Sequence, residues 1–245
     1  MLTFDMLLLT ATRILTYEGQ RPLTNATGFF YEREGQLFLV TSRHVLFDEP
    51  SGHFPDRIVI DLHTDPENMA ESTGFSIPLY NKTGSVWRQG LDLAGGIDVA
   101  AIEIVRTALP AKTVYRAFTP DHLIGAFEHI EIGTALLIMG FPLGFHDTLH
   151  HMPVVRHAIV ASSFGFRFQG KGYFLTDART HRGTSGAPVV LRTTGQDALL
   201  GDLAWKLVGV HSARLDVGTR DLEIDEALGL NCAWFADILP TLTES

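Results

Sequence analysis

The sequence has one cysteine, Cys232, among its 245 residues, so no intrachain disulfide can form. Secreted proteins of this size commonly carry several disulfides, and the cysteine count therefore favours a reducing compartment. The first fifteen residues also lack a basic n-region, carry an acidic residue early and contain no convincing signal cleavage site. We therefore expect a cytoplasmic protein, while a secretion route without a cleavable signal stays open.

Basic runs and long apolar runs are also missing. The formal net charge is −9 and the isoelectric point is about 5.6, and a negative field of this kind repels polyphosphate. No apolar run is long enough to cross a bilayer. Nucleic acid and membrane are therefore not expected as partners. Hydrophobic residues at 45% and charged residues at 19% indicate an ordinary globular chain.

Helical periodicity is scarce, and short apolar or alternating runs such as QLFLVTS, RIVIDLH and TALLIMGF dominate the sequence. Turn residues separate them at the spacing typical of an all-β barrel or sandwich. Two stretches look helical: TSRHVLF, which can form one turn, and AWFADILPTL, which can pack a short helix at the C-terminus. Residues 107–130 contain prolines and glycine and are the best candidate for a connection between two lobes, which we place at 1–120 and 121–245.

The strongest local motif is RGTSGAP at residues 182–188. A nucleophilic serine needs a tight turn that exposes its hydroxyl, with backbone N–H groups aimed at the developing oxyanion. Glycine on either side permits positive φ and close approach of the backbone. Ser185 is therefore a candidate nucleophile, with the N–H groups of Gly183 and Ser185 as the oxyanion hole. An ordinary polar turn is the alternative interpretation of this motif alone.

A histidine follows an apolar strand in FLVTSRHVL at residues 38–46. Imidazole is a natural general base because its ordinary pKa lies near neutrality, so His44 is the candidate base. The sequence has eleven histidines, and most of the others lie in polar stretches typical of surface or structural roles. The adjacent pair His150 and His151 has no further ligand at zinc-site spacing, and we expect no metal and no cofactor.

A carboxylate begins the buried strand GIDVAAIEI at residues 96–104. Asp98 could cap this strand through an Asx turn, or it could orient the histidine, fix its tautomer and stabilise the imidazolium. Asp92 is the nearest rival, but no comparable apolar strand follows it directly. The order His44, Asp98, Ser185, with spacings of 54 (98 − 44) and 87 (185 − 98) residues, makes the three motifs more specific together than apart.

Further motifs accompany these three in one order, and they read TGF at 27–29, LVTSRHV at 39–45, DVAAI at 98–102, GFPLG at 140–144, TDARTHRGTSGAPV at 176–189, GVH at 209–211 and LNCA at 230–233. Together they resemble the chymotrypsin-like serine peptidases. The branch that they resemble most is the disulfide-poor bacterial one, with the HtrA proteases and the staphylococcal glutamyl endopeptidases. The resemblance covers roughly residues 26–239.

This resemblance implies an all-β fold of two six-stranded antiparallel β-barrels with a short C-terminal helix. It also implies a serine endopeptidase that cuts protein or peptide substrates through an acyl-enzyme, with His44 and Asp98 in the first barrel and Ser185 in the second. The sequence departs from the digestive enzymes, because it has no activation sequence and Thr184 precedes the nucleophile. We expect no PDZ domain after Ser245, so HtrA-style regulation is not implied.

The resemblance also suggests a pocket for the P1 side chain. In glutamyl endopeptidases a Thr or Ser and a His occupy the positions of Thr180 and His211 and bind Glu or Gln, and both groups can donate hydrogen bonds to an oxygen. Ser212 is expected to bond Asp98. The backbone of residues 212–214, which includes Ala213 and Arg214, is expected to pair with an extended substrate. A core histidine is the alternative for His211, and Arg179 and Arg214 could turn inward or into solvent.

The sequence also bears on two other functions. A catalytically silent peptide-binding module of the same fold would lack a triad member, whereas all three residues and the oxyanion glycine are present. An esterase would place its aspartate and histidine after the serine, and here both precede Ser185. A regulatory partner is compatible with the sequence, but nothing in the sequence identifies one.

Overall fold

The computed structural model describes residues 5–125, 129–193, 203–214 and 229–244. Their strands form two large antiparallel sheets and one short two-stranded hairpin. The strands are β1 (Ala11–Glu18), β2 (Arg21–Arg33), β3 (Gln36–Thr41), β4 (Arg57–His63), β5 (Ser72–Pro78), β6 (Tyr80–Asn81), β7 (Gly84–Ser85), β8 (Trp87–Asp92), β9 (Gly95–Ile104), β10 (Ala135–Gly140), β11 (Val154–Val160), β12 (Tyr173–Asp177), β13 (Pro188–Arg192), β14 (Trp205–Arg214) and β15 (Leu230–Phe235).

The N-terminal sheet has the strand order β5-β4-β1-β2-β3-β9-β8. Alternation along β4 sends Ile58 and Ile60 into the core, where Ile14 and Leu39 join them in one apolar cluster. Strand β3 lies directly beside β9, with Thr41 opposite Ala100. The end of β3 therefore lies beside the beginning of β9, and the residues that follow Thr41 come close to Asp98.

The C-terminal sheet is a closed barrel in the order β10-β11-β12-β15-β14-β13. Its interior is filled by fully buried side chains that include Phe174, Val189 and Ala233. Strand β14 pairs with both β13 and β15, and its register with β15 shifts between His211 and Arg214. This irregularity releases the backbone around residue 212 from the ladder next to the predicted nucleophile.

The two lobes share one apolar cluster, to which Phe29 and Phe118 contribute from the first lobe and Met139 and Trp234 from the second. A buried polar contact reinforces it at Thr27. The Thr27 hydroxyl donates to the carbonyl of Gly183 (2.7 Å) and accepts from the N–H of Phe141 (3.1 Å). The cleft between the lobes is therefore held by both apolar and hydrogen-bonded contacts.

Helices are short. Helix α1 (Arg43–Leu46) follows β3 directly, and helix α2 (Leu239–Leu242) follows a 3₁₀ turn at Ala236–Ile238. Leu239 and Leu242 are buried and belong to the cluster shared by the lobes. Both helical segments predicted from the sequence are thus present. In the part of the chain that the structure describes, no helix combines the length and the apolar character needed to cross a membrane.

The predicted all-β double-barrel class is confirmed, with the predicted short C-terminal helix. The C-terminal barrel has the expected six strands, whereas the N-terminal sheet has seven because β8 pairs beside β9. Between β9 and β10, Phe118 bridges to Tyr31 of β2 and Leu123 bridges to Leu207 of β14, so this connection touches both lobes. The boundary near residue 120 stays a prediction.

Candidate active site

His44 lies on helix α1, one turn after the end of β3. Its backbone N–H donates to Oδ1 of Asp98 (2.8 Å), and its Nδ1 lies 2.7 Å from Oδ2 of the same carboxylate. A carboxylate only accepts hydrogen bonds, so Nδ1 carries the proton in the neutral imidazole and Nε2 carries the lone pair. The side chain is 31% exposed, so the basic edge of the ring remains accessible.

Asp98 lies near the start of β9, between the buried residues Ile97 and Val99. Its carboxylate receives the two bonds from His44 and a third from the hydroxyl of Ser212 on β14. A buried charge is tolerated when its lone pairs are satisfied in this way. Asp98 therefore joins the first lobe to the second. Its predicted contacts with His44 and Ser212 are both present.

Burial and charge act in opposite directions on this pair. Burial lowers the pKa of His44, but the hydrogen bond and negative charge of Asp98 outweigh it and raise the pKa of His44 above its usual 6.5. Burial raises the pKa of Asp98, and the bonds from His44 and Ser212 outweigh it and lower the pKa of Asp98 below 3.8. At neutral pH the site therefore holds an ionised carboxylate beside an imidazole of increased basicity.

Ser185 lies in a tight turn between Gly183 and Gly186, whose φ angles are +92° and +83°. A Cβ on Gly186 would collide with the carbonyl oxygen of Thr27 and the hydroxyl of Thr41, so only glycine fits. The turn is held from the first lobe, because the N–H of Thr27 donates to the carbonyl of Ser185 (2.9 Å). The serine side chain itself is half-buried.

Two backbone N–H groups of this turn are left to bind a ligand. The carbonyl of Arg182 accepts from the N–H of Leu143 (2.6 Å), and in a trans peptide the following N–H, that of Gly183, points the opposite way. Within the described part of the chain, neither Gly183 N nor Ser185 N donates a hydrogen bond. This is the arrangement that an oxyanion hole requires.

One acceptor brings the serine turn and the histidine turn together. The carbonyl of His211 accepts from the N–H of Gly186 (2.7 Å) and from the hydroxyl of Ser42 (3.2 Å), which is two residues before His44. Among the described residues no hydrogen bond joins Nε2 of His44 to Oγ of Ser185. Such bonds are often long in the absence of substrate, so a missing bond in this structure does not argue against the pairing of His44 with Ser185.

The predicted pocket residues lie on the C-terminal barrel beside this turn. Thr180 and His211 are buried, with exposures of 7% and 2%. Ala213 and Arg179 are exposed, so of the two arginines considered Arg179 lies in solvent. The side chain of Arg214 lies outside the described residues, although its backbone pairs opposite Asn231 of β15. The role of these residues in substrate binding stays a prediction.

Three residues of the site had no sequence-based assignment. Thr27 was noted only within the TGF motif, yet it bonds Gly183, Ser185 and Phe141. Asn25 lies against Gly183, and a Cβ added to Gly183 would collide with Oδ1 of Asn25. Asn231 accepts a bond from Thr180. Asn231 lies within the LNCA motif, but no local pattern indicates the role of Asn25 or Asn231, since their contacts join residues far apart in the sequence.

A double β-barrel with an aspartate-bonded histidine beside a glycine-flanked serine at the cleft defines the chymotrypsin-like class of proteins. Comparison with known families agrees. A family described as "Trypsin-like peptidase domain" matches residues 26–201, more than half of the chain. The chain belongs to the trypsin-like peptidase domain family.

A solved structure is similar in fold. A serine endoprotease from Yersinia pestis superimposes with a TM-score of 0.51 and 16% identity, over 96% of this chain and 61% of that one. The chain therefore spans about three fifths of that protein's length. The inactive form of Rv3671c from M. tuberculosis H37Rv gives a TM-score of 0.48 and 14% identity, over 95% of this chain and 84% of that one. No curated protein matches the sequence.

Proposed function

We propose that this protein is a serine endopeptidase that uses His44, Asp98 and Ser185 as a catalytic triad. The observation that carries the proposal is the bond between Nδ1 of His44 and Asp98, which leaves Nε2 of a partly exposed ring as the basic nitrogen. Family membership supports a peptidase, and the hydrogen bond between Asp98 and Ser212 supports the assignment of Asp98 over Asp92.

The proposed reaction is acyl transfer. Nε2 of His44 removes the proton of Ser185 as Oγ attacks the scissile carbonyl, and Asp98 stabilises the imidazolium that forms. The N–H groups of Gly183 and Ser185 donate to the oxyanion of the tetrahedral intermediate. The imidazolium then protonates the leaving amine, which departs and leaves an acyl-enzyme. Water, deprotonated by the same imidazole, hydrolyses this ester and restores the Ser185 hydroxyl.

Substrate binding is proposed on the second lobe. The backbone of residues 212–214 would pair with an extended peptide as an added strand, and the register shift of β14 at this point supports the proposal. Thr180 and His211, both buried beside the serine turn, would contact the P1 side chain and give a preference for Glu or Gln. We also propose a cytoplasmic location, because a single cysteine favours a reducing compartment.

Peptide hydrolysis tests the proposed function. Wild-type protein should cleave a mixed peptide library, and Ser185→Ala should reduce turnover by about 10⁵-fold or more, to the background of the assay. Ser51→Ala, a change at an exposed serine, is the matched control and should retain full activity. Circular dichroism must show both variants folded. Undiminished turnover in folded Ser185→Ala would contradict the triad, and a protein that binds library peptides without cleaving them would instead be a silent peptide-binding module.

A further inference from the structure

Thr180 and Asn231 form a buried polar pair on the C-terminal barrel, and Thr180 is one of the two residues proposed above to contact the P1 side chain. Thr180 precedes Ser185 by five residues, and Asn231 lies on β15 opposite Arg214. Their exposures are 7% and 0%. Buried polar atoms have to satisfy one another where water is excluded, so the hydrogen bonds of the pair fix the direction of each proton.

The amide of Asn231 has one possible orientation. Its Nδ2 lies 2.8 Å from the carbonyl oxygen of Ala178 and 2.9 Å from that of Gly229. Carbonyl oxygens only accept, so the NH₂ group has to face them, and a flipped amide would direct its own oxygen at two other oxygens. Oδ1 of Asn231 therefore points away from these carbonyls and toward Thr180.

This orientation determines the direction of the Thr180 proton. Oγ1 of Thr180 lies 2.5 Å from Oδ1 of Asn231, and because Oδ1 has no proton, the threonine hydroxyl is the donor. A hydroxyl has a single proton, so Thr180 has none left for a substrate. Its remaining hydrogen-bonding capacity is that of an acceptor.

We propose that Asn231 is a specificity-determining residue, which holds Thr180 as a hydrogen-bond acceptor and so makes the P1 pocket select glutamine over glutamate. The inference rests on the proposed peptidase function, and it decides between the two side chains that the function leaves open. A glutamine amide can donate an N–H to Oγ1 of Thr180. A glutamate carboxylate would bring a second set of lone pairs against it, with no proton between the two oxygens.

The charges of the pair itself and of the residues on either side of Ala178 and Thr180 favour the same choice. Thr180 and Asn231 are both neutral, and the charged neighbours Asp177 and Arg179 are exposed. A carboxylate or an ammonium group placed against the pair would therefore be buried without a counter-charge from either neighbour. A primary amide combines an N–H donor with no net charge, so it suits the pair better than Glu or Lys.

The test compares two peptides that differ only at P1, Gln or Glu, as a ratio of kcat/KM within one enzyme sample. A ratio is independent of the amount of active enzyme, so partial unfolding of a variant does not change it. Wild type should favour Gln by about tenfold, the effect of one hydrogen bond gained or opposed. Thr180→Val removes the acceptor oxygen Oγ1. Asn231→Ala removes the partner of the Thr180 hydroxyl, which can then donate its proton to a substrate. Each change should lower the ratio at least threefold.

Two further variants separate positioning from packing. Thr180→Ser keeps the hydroxyl and its bond to Asn231, so it should retain the wild-type ratio. Thr176→Val removes the hydroxyl of another buried threonine, paired opposite Asn231 on β12 but not bonded to Oδ1, and it should also leave the ratio unchanged. If Asn231→Ala does not fold, the Val and Ser variants at position 180 still decide the question.

A wild-type ratio of one or less, or a ratio unchanged in Thr180→Val, would overturn the inference. A fluorophosphonate probe, whose reaction needs no P1 residue, distinguishes that outcome from failure of the proposed function. A protein that is labelled at Ser185 and cleaves Glu as well as Gln contradicts the role of Asn231 alone. A protein that is neither labelled nor able to cleave either peptide contradicts the peptidase assignment, and this inference with it.

Discussion

Two buried polar clusters lie beside Ser185, and they share a design but differ in charge. In one cluster Asp98 accepts a hydrogen bond from Nδ1 of His44, so Nε2 remains as an acceptor. In the other, Oδ1 of Asn231 accepts a hydrogen bond from the hydroxyl of Thr180, so Oγ1 can only accept a further bond. The negative charge of Asp98 raises the pKa of His44, whereas neutral Asn231 adds no charge to make Thr180 more basic. The first cluster is therefore suited to proton transfer and the second to recognition.

Each side-chain oxygen and nitrogen of Asp98 and Asn231 has at least one hydrogen-bond partner, which favours a fixed orientation of both side chains. Asp98 receives two bonds from His44 and one from Ser212. Asn231 donates to two carbonyls and accepts from Thr180. A partly satisfied buried network would be costly and mobile. We therefore propose that the charge of the acceptor decides whether such an arrangement of protons serves catalysis or selectivity.

Asp98→Asn should have the largest effect, because it replaces the charged acceptor of the His44–Asp98 cluster (the charged cluster) with a neutral amide like that of the Thr180–Asn231 cluster (the neutral cluster). The amide can no longer hold His44 in the required tautomer, and kcat should fall by about 10⁴-fold. Asp92→Asn is the matched control, since this carboxylate on β8 is the rival considered from the sequence, and its effect should stay within about threefold. Steady-state kinetics on one peptide measure both. Equal losses in the two variants would contradict the assignment of Asp98.

Gly186→Ala should disturb the cluster around Asp98, because the N–H of Gly186 donates to the carbonyl of His211, the residue before Ser212. The new Cβ would collide with Thr27 and Thr41, and unfolding should become easier by about 3 kcal/mol or more.

Gly35→Ala provides the control for this change. Gly35 also has positive φ (+79°), but a Cβ there meets nothing within 4 Å, so only strain of about 1–2 kcal/mol is expected. Denaturant unfolding measures both variants. Similar losses of stability would mean that the interlobe collision is absent.

Ser212→Ala should have a smaller effect, since it removes one of the three bonds to Asp98 and leaves His44 in place. Loss of a hydrogen bond to a charged group should lower kcat/KM by about tenfold. The pKa of Asp98 should rise, because the Ser212 bond contributes to holding it down. The Gln to Glu ratio should stay at its wild-type value, and a change in that ratio would show that the two clusters are coupled.

The pH dependence of kcat/KM reports the charge difference directly. The free base needs neutral His44, and Asp98 raises the pKa of His44, so activity should rise with pH through a midpoint above 6.5. In the residual activity of Asp98→Asn this midpoint should move to lower pH, since the negative charge is gone. A midpoint at or below 6.5 that is the same in both proteins would contradict the coupling.

Reducing agent should have no effect at all. Cys232 is the only cysteine, and burial raises the pKa of its thiol to about 11, so the thiol is protonated and unreactive at neutral pH. Activity and melting temperature should be equal with and without dithiothreitol. A loss of either on reduction would reveal a disulfide between chains.

Sequence patterns identified the charged cluster more fully than the neutral one, and the reason is physical. His44 follows an apolar run, Asp98 begins one, and Ser185 lies in a turn between glycines. A base at a strand end and a nucleophile between glycines both need a local chain geometry, and this geometry leaves a pattern in the sequence. Asn231 needs none, since its bond to Thr180 spans 51 residues and depends on the register of β15.

Thr27 also makes contacts that depend on long-range packing rather than on local sequence. Its hydroxyl joins groups 114 and 156 residues away, and its local sequence shows only a strand. The all-β class was predictable from alternation, whereas the seventh strand of the first sheet was not, because β8 is largely half-buried or exposed and alternates weakly. Strand alternation and the turn around Ser185 were therefore readable from the sequence, whereas the long-range contacts of Thr27 and Asn231 were not.

The most direct test of the account is the site and rate of reaction with a fluorophosphonate probe, measured by mass spectrometry of the digested protein. We expect one adduct, on the hydroxyl of Ser185, formed rapidly in the wild type and in Thr180→Val but slowed by several orders of magnitude in His44→Ala. An adduct on another residue, or equal labelling rates in wild type and folded His44→Ala, would contradict a serine nucleophile activated by the charged cluster.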